Sequence, residues 1–167
     1  GELDLTLQER NRLSALITRT YTRIFQDPEM KGVPSALSYC FSPSRPRDGH
    51  YFLHRPESLP ERPDCMIFLH GDGGNFLLYP WLLKQEFPDA VLLFPSWSIR
   101  WEKGSTLYLR DMIRHAERRL GKPLNRPWLM GISAGAQEGF SLYTEMEAEL
   151  KGYISLGSAP PSAEAQR

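Results

Sequence analysis

A chain of 167 residues suits one domain of ordinary size and is long enough to bury most of its apolar surface. Its 41% apolar and 24% charged residues are ordinary for a globular protein, which excludes the disordered and fibrous classes. Lysine plus arginine matches aspartate plus glutamate at 20 each, so no net field attracts a polyanion and nucleic acid is not an expected partner.

The longest wholly apolar runs are a few residues, against the roughly 20 needed to cross a bilayer, so no membrane span is expected. No charged start followed by an apolar core marks a signal peptide. The first residue is Gly1 rather than Met, which fits a leader or tag already removed, and the compartment stays open.

Taken in chain order, Thr6 can cap a helix from Leu7 to Phe25, whose Leu13, Leu16, Ile17, Tyr21, Ile24 and Phe25 follow helical spacing. Asp27-Pro28 ends it, and the helix is expected on a core or on a partner. "ALSYCFS" and "GHYFLHRP" read as two strands around the Pro- and Gly-bearing turn "PSRPRDG". "CMIFLHG" is a short apolar run, the mark of a strand buried on both faces. A helix is expected from Phe76 to Phe87 with Pro80 in its first turn, and "AVLLFPS" is a second buried strand.

Ser105 to Leu120 is an amphipathic helix with Leu109, Met112, Ile113, Ala116 and Leu120 on one face. Arg118 and Arg119 suit its last turn, and Gly121 follows as a stop. "PWLMGI" is a third buried strand, Ala136, Phe140, Tyr143 and Leu150 mark another helix, and "GYISLGSAP" is a fourth strand. The tail "PSAEAQR" has nothing to bury. Alternating strands and helices imply a mostly parallel sheet with helices on both faces. Two cysteines, Cys40 and Cys65, make no disulfide framework and read as buried thiols.

Gly131-Ile132-Ser133-Ala134-Gly135 fits the G-x-S-x-G nucleophile elbow, with a strand before it and a helix after it. Such a serine stands at the tip of a tight turn in an unfavourable backbone region. Strand and helix then approach so closely that side chains two residues either side would collide, and glycine removes the collision. The bland alternative is a tight strand–helix crossing with an idle serine. A second element, His70-Gly71-Asp72-Gly73-Gly74-Asn75, leaves the first buried strand. Alone it could be a generic loop or a phosphate cradle, but it lacks the Walker A lysine.

With these two anchors, "FLHGDGGN" and "LMGISAG", the sequence resembles the α/β-hydrolase family from about Tyr39 to Pro160. More narrowly it is similar to the esterases related to polyhydroxybutyrate depolymerases and feruloyl esterases, and to peptidases near them. The resemblance implies that Ser133 is the nucleophile and that the N–H groups of Asp72 or Gly73 and of Ala134 form the oxyanion hole. It implies a C-terminally incomplete α/β-hydrolase sheet, with residues 31–167 as the N-terminal portion of one domain, preceded by the N-terminal helix segment of residues 1–30 read from its spacing. The family's strand order also puts two strands between Cys40 and Cys65, too far for a disulfide at about 4.8 Å per strand.

The partners of Ser133 are missing from that pattern. His50, His54, His70 and His115 all precede it, whereas the family's order is serine, acid, histidine. Glu138, Glu145, Glu147 and Glu149 are expected on the following helix and Glu164 lies in the tail, so none matches the family's acid. His70 is expected to brace the loop, and His115 to be solvated. His50 and His54 would be about 13 Å apart along a strand, too far to share an ion, so no metal is expected.

The chain is therefore expected to be part of a longer enzyme, rather than a pseudo-enzyme or a shortened chain, because an unpaired apolar edge at "GYISLGSAP" would invite aggregation. The expected activity is hydrolysis of carboxylic esters through an acyl-enzyme, with no cofactor, the acid and histidine coming from the remaining C-terminal polypeptide. A peptidase of the same fold and a non-catalytic binding module are the alternatives. Trp97, Arg100 and Trp101, in the loop after "AVLLFPS", could contact the substrate or pack beneath the loop.

Overall fold

The computed structural model describes residues 4–33, 50–72, 74, 76–96 and 105–158. The apolar runs become β1 (Tyr51–His54), β2 (Cys65–Leu69), β3 (Val91–Pro95), β4 (Trp128–Ile132) and β5 (Gly152–Leu156). They form one five-stranded sheet in the order β1-β3-β2-β4-β5, parallel throughout except that β1 runs antiparallel to β3. The "ALSYCFS" run and the Cys40 it carries lie outside the described residues.

Strand periodicity explains why β2 and β3 read as continuous apolar runs. Cys65, Ile67 and Leu69 face one core with Val91 and Leu93, while Met66 and Phe68 face the other with Leu92 and Phe94. On the first face lie α3 (Ser105–Leu120), through Leu109, Met112 and Ala116, and α4 (Ala134–Glu145), through Leu142. On the second lies α2 (Leu78–Glu86), with Tyr79 and Leu83 against Phe68 and Phe76. This division follows from handedness. β2 to β3 moves one way along the sheet, β3 to β4 and β4 to β5 move the other way, and right-handed crossovers in opposite directions put their helices on opposite faces. The sheet is thus mixed α/β and mostly parallel, with helices on both faces.

α1 (Leu7–Gln26) starts in a reciprocal capping box. The Thr6 hydroxyl accepts from the Glu9 N–H at 3.3 Å, and the Glu9 carboxylate accepts from the Thr6 N–H at 2.8 Å. Among the described residues it docks through its C-terminal turns: Ile24 is buried beside Met30 and Leu77, with Tyr21 half-buried on the same cluster. A clasp of charges fixes that end. The Lys84 ammonium lies 2.7 Å from Asp27 and 2.8 Å from Glu29, and Glu29 also accepts from His54 Nδ1 at 2.8 Å. Burial raises the Asp27 carboxyl, but the hydrogen bonds from Lys84 and from the Glu29 and Met30 N–H groups outweigh it and hold it below its usual range. Burial likewise lowers the Lys84 ammonium, and its two carboxylate partners outweigh that, leaving it raised.

Two expectations change. α4 stops at Glu145 instead of continuing to Leu150, so Glu147 and Glu149 lie beyond it. The cause is non-local: Arg126, approaching β4, donates to the carbonyls of Glu147 and Leu150, and Lys151 N–H pairs with Pro127 at 2.8 Å to begin the β4–β5 ladder. Glu149 instead takes the Arg110 guanidinium at 2.8 Å. His115, on the exposed side of α3, is not merely solvated: its Nδ1 meets the Tyr51 hydroxyl at 2.7 Å. Among the described residues, no helix is long and apolar enough to cross a membrane.

Candidate active site

β2 and β4 are neighbours, but their following segments depart to opposite faces, one toward α2 and the other into α4. Such a reversal opens a crevice at the carboxyl ends of the strands, where ligands bind in open α/β sheets. Ser133 occupies the β4 side of it and His70–Asp72 the β2 side, because Leu69 and Gly131 are register partners.

Ser133 has φ 52° and ψ −118°, and among the described residues it is the single non-glycine with positive φ. Its side chain is exposed. Three main-chain contacts hold the strain. Ser133 N–H donates to the Leu156 carbonyl at 3.0 Å, extending the β4–β5 ladder one step, and its own carbonyl accepts from Ala136 and Gln137 at 2.9 and 3.0 Å. The glycines interlock around it. A Cβ on Gly131 would lie 2.3 Å from the Gly135 carbonyl oxygen, and one on Gly135 would lie 2.4 Å from the carbonyl oxygens of Leu69 and His70. Helix α4 therefore presses its first turn against β4 and β2 together, a contact that only glycine permits.

The facing segment is equally close. A Cβ on Gly71 would come within 3.2 Å of the Ser133 Cβ. His70 is 2% exposed, its Nδ1 lies 2.7 Å from the Gly71 carbonyl, and its ring packs edge-on against Phe76. The imidazole therefore anchors the turn, as expected of a bracing residue. Gly74 N–H returns to the Gly71 carbonyl at 3.2 Å, closing the turn on which Asp72 is exposed. Ala134 is the first residue of α4, and the first N–H groups of a helix have no acceptor within it. Ser133, Asp72 and Ala134 are thus gathered at one sheet end. Gly73, Trp97, Arg100 and Trp101 lie outside the described residues.

The remaining histidines sit elsewhere. His54 is held by Glu29 at the far end of β1, and His115 meets Tyr51. His50 directly precedes β1, three strand positions from β4, or about 14 Å, beyond hydrogen-bond reach of Ser133. Among the described residues, no group of three His, Cys, Asp or Glu side chains could hold a metal ion. Sequence reasoning missed the Leu156 carbonyl as the anchor of the bend. A main-chain acceptor leaves no mark in the residue types, and only the strand register finds it.

No protein-family model and no curated protein sequence matches the chain.

Proposed function

We propose that the chain carries the nucleophile and oxyanion-hole half of an α/β-hydrolase-type serine hydrolase that cleaves carboxylic esters. The observation that carries this reading is the strained, exposed Ser133 locked between Gly131 and Gly135. The strand order supports the fold assignment: β1 and β3 stand outside β2, where the resemblance puts two strands between those of Cys40 and Cys65.

In this reading the Ser133 hydroxyl attacks the ester carbonyl while the N–H groups of Ala134 and of Asp72 or Gly73 receive the oxyanion. Losing one such donor typically costs about 3–4 kcal/mol of barrier. A histidine from polypeptide outside this chain removes the hydroxyl proton and passes it to the leaving alcohol, and an acid orients that histidine. Water then releases the acyl group. The engagement of His54, His70 and His115 elsewhere supports an external base. A peptidase on the same fold would share all of these groups, and a binding module would share the crevice.

A fluorophosphonate probe tests the proposal. The Ser133 hydroxyl is expected to be labelled in protein that includes the continuing polypeptide, and Ser133→Ala to abolish labelling and ester turnover together. An unlabelled Ser133 in that material would leave only the binding module. Full ester turnover by this chain alone would refute the external histidine.

A further inference from the structure

Two surfaces lack partners among the described residues, and they complement each other. The first is the free length of α1. Leu13, Leu16 and Ile17 are 46%, 54% and 48% exposed, although they continue the stripe that Ile24 docks on the body. At about 100° per residue, these four side chains span an arc of about 100°. Arg12, Arg19 and Arg23 fall within about 40° of one another along one edge of that stripe, beside Leu16. None of the three forms an ion pair among the described residues. The helix holds four arginines against one acid, Glu9, and that acid is committed to the Thr6 cap.

The second surface is a groove of about 450 Å³ at the amino ends of the parallel strands, away from Ser133. Its apolar wall includes Met66, Phe87, Ala90, Trp128 and Ile154. Its rim carries three exposed acids, Asp64, Glu86 and Asp89, and among the described residues no arginine or lysine lines it. Lys151 stands over the adjacent Trp128 ring at 5.6 Å.

We propose that α1 of one copy seats in this groove of a second copy, and reciprocally, forming a two-fold dimer. Leu13, Leu16 and Ile17 enter the apolar wall, and the arginine row meets the acid rim. Charge sign selects this occupant over the simpler pairing of two α1 helices. Antiparallel helices would set one arginine row against the other, and like charges repel. Shape argues against a lipid surface. The stripe faces the same side as docked Ile24, so a flat bilayer meets the body of the protein first. An isologous exchange closes after two contacts and leaves no free stripe to build fibres.

The test is a charge exchange followed by sedimentation velocity on the whole chain. The parent chain is expected to dimerise across a micromolar series. One variant carries Arg12→Glu with Arg19→Glu, and another carries Glu86→Lys with Asp89→Lys. Each alone is expected to dimerise at least about tenfold more weakly, as like charges are brought together. Mixed in equal amounts, they restore the dimer, because both contacts then join opposite charges. All four positions are exposed, and circular dichroism checks that both variants fold. A monomeric parent chain overturns the proposal, as does a dimer indifferent to both variants or a mixture that stays monomeric. Binding of the monomer to phosphatidylserine vesicles, lost in Leu16→Gln, would assign the stripe to lipid instead.

Discussion

Adding one methyl group at Gly135 tests the geometry on which the candidate site rests. The new Cβ would stand 2.4 Å from two backbone carbonyl oxygens, those of Leu69 and His70, and 2.8 Å from the Leu69 carbonyl carbon. Ordinary contact begins near 3.4 Å, so the first turn of α4 must retreat from β2 by about 1 Å. Neither side can yield cheaply, since β2 is paired on both edges and α4 is packed on β4 and β5. Overpacking of this kind costs about 3 kcal/mol, the upper end of the usual range. In a chain of 167 residues that is a fall in melting temperature of about 6–12 °C. Gly139→Ala is the control. Its Cβ would meet only side-chain ends, Leu69 Cδ1 at 3.0 Å and the Tyr153 ring at 3.1 Å, which can shift by tenths of an ångström for about 1 kcal/mol. Thermal unfolding of the two variants against the parent reads the difference. In protein that includes the continuing polypeptide, fluorophosphonate labelling should fall about a hundredfold in Gly135→Ala, because a 1 Å displacement of a reacting group has that effect. If Gly135→Ala melts within about 2 °C of the parent, helix and strand do not press together as described and the reasoning fails.

Ser133→Gly should raise stability by about 1 kcal/mol, relieving the positive φ, while abolishing probe labelling; chemical denaturation reads the first and mass spectrometry the second. Lys84→Met should cost about 2 kcal/mol, because Lys84 and Asp27 are each only 14% exposed and the substitution leaves two acids without their cation. The pH dependence of that cost has a defined sign. Asp27 is depressed in the folded state, so its contribution is present above the normal carboxylate range and lost as pH falls through its lowered pKa. Lys84 is raised, so its contribution is present below the normal lysine range and lost as pH rises through its raised pKa. The parent-minus-variant difference in denaturation should therefore be greatest at neutral pH and shrink at both extremes. Cys65 should resist thiol reagents until the chain unfolds, since burial drives its thiol pKa far upward; a fast reaction under native conditions would contradict the packing of β2.

The centre of the sheet was legible because β2 and β3 are buried on both faces, so each announces itself as an unbroken apolar run between turn residues. Helix starts were legible where the signal is local, as with Thr6 and Glu9. Helix ends and destinations were not. Nothing near Leu150 says that Arg126 will take the carbonyls there and release the chain from α4. Nor does α1 reveal that, among the described residues, its stripe meets the body through Ile24 and Tyr21 while Leu13, Leu16 and Ile17 stay exposed. The clasp joins Glu29 to Lys84 across 55 positions, a distance over which residue spacing carries no information. The site divides along the same line. The bend at Ser133 is specified by five consecutive residues and reads from them directly. A base and an acid would be brought to it by tertiary structure alone.

Serine at position 133 is itself an argument about function. A tight strand-to-helix crossing needs glycine where backbone meets backbone, and Gly131 and Gly135 satisfy that need. It also needs a residue at φ 52° and ψ −118°, and for stability alone glycine again serves best there. A residue with a Cβ in such a region carries strain of about 1–3 kcal/mol, a large part of a typical folding free energy of about 5–15 kcal/mol. The strain comes with no packing gain, because the side chain is exposed and makes no cap hydrogen bond to α4. What it does provide is a hydroxyl outside the sheet, beside the turn of Gly71 and Asp72 and ahead of the first N–H groups of a helix. A crossing with an idle serine accounts for the two glycines but leaves the strained residue between them without a cause. The proposed attack on a carbonyl whose oxygen needs those N–H groups would supply one.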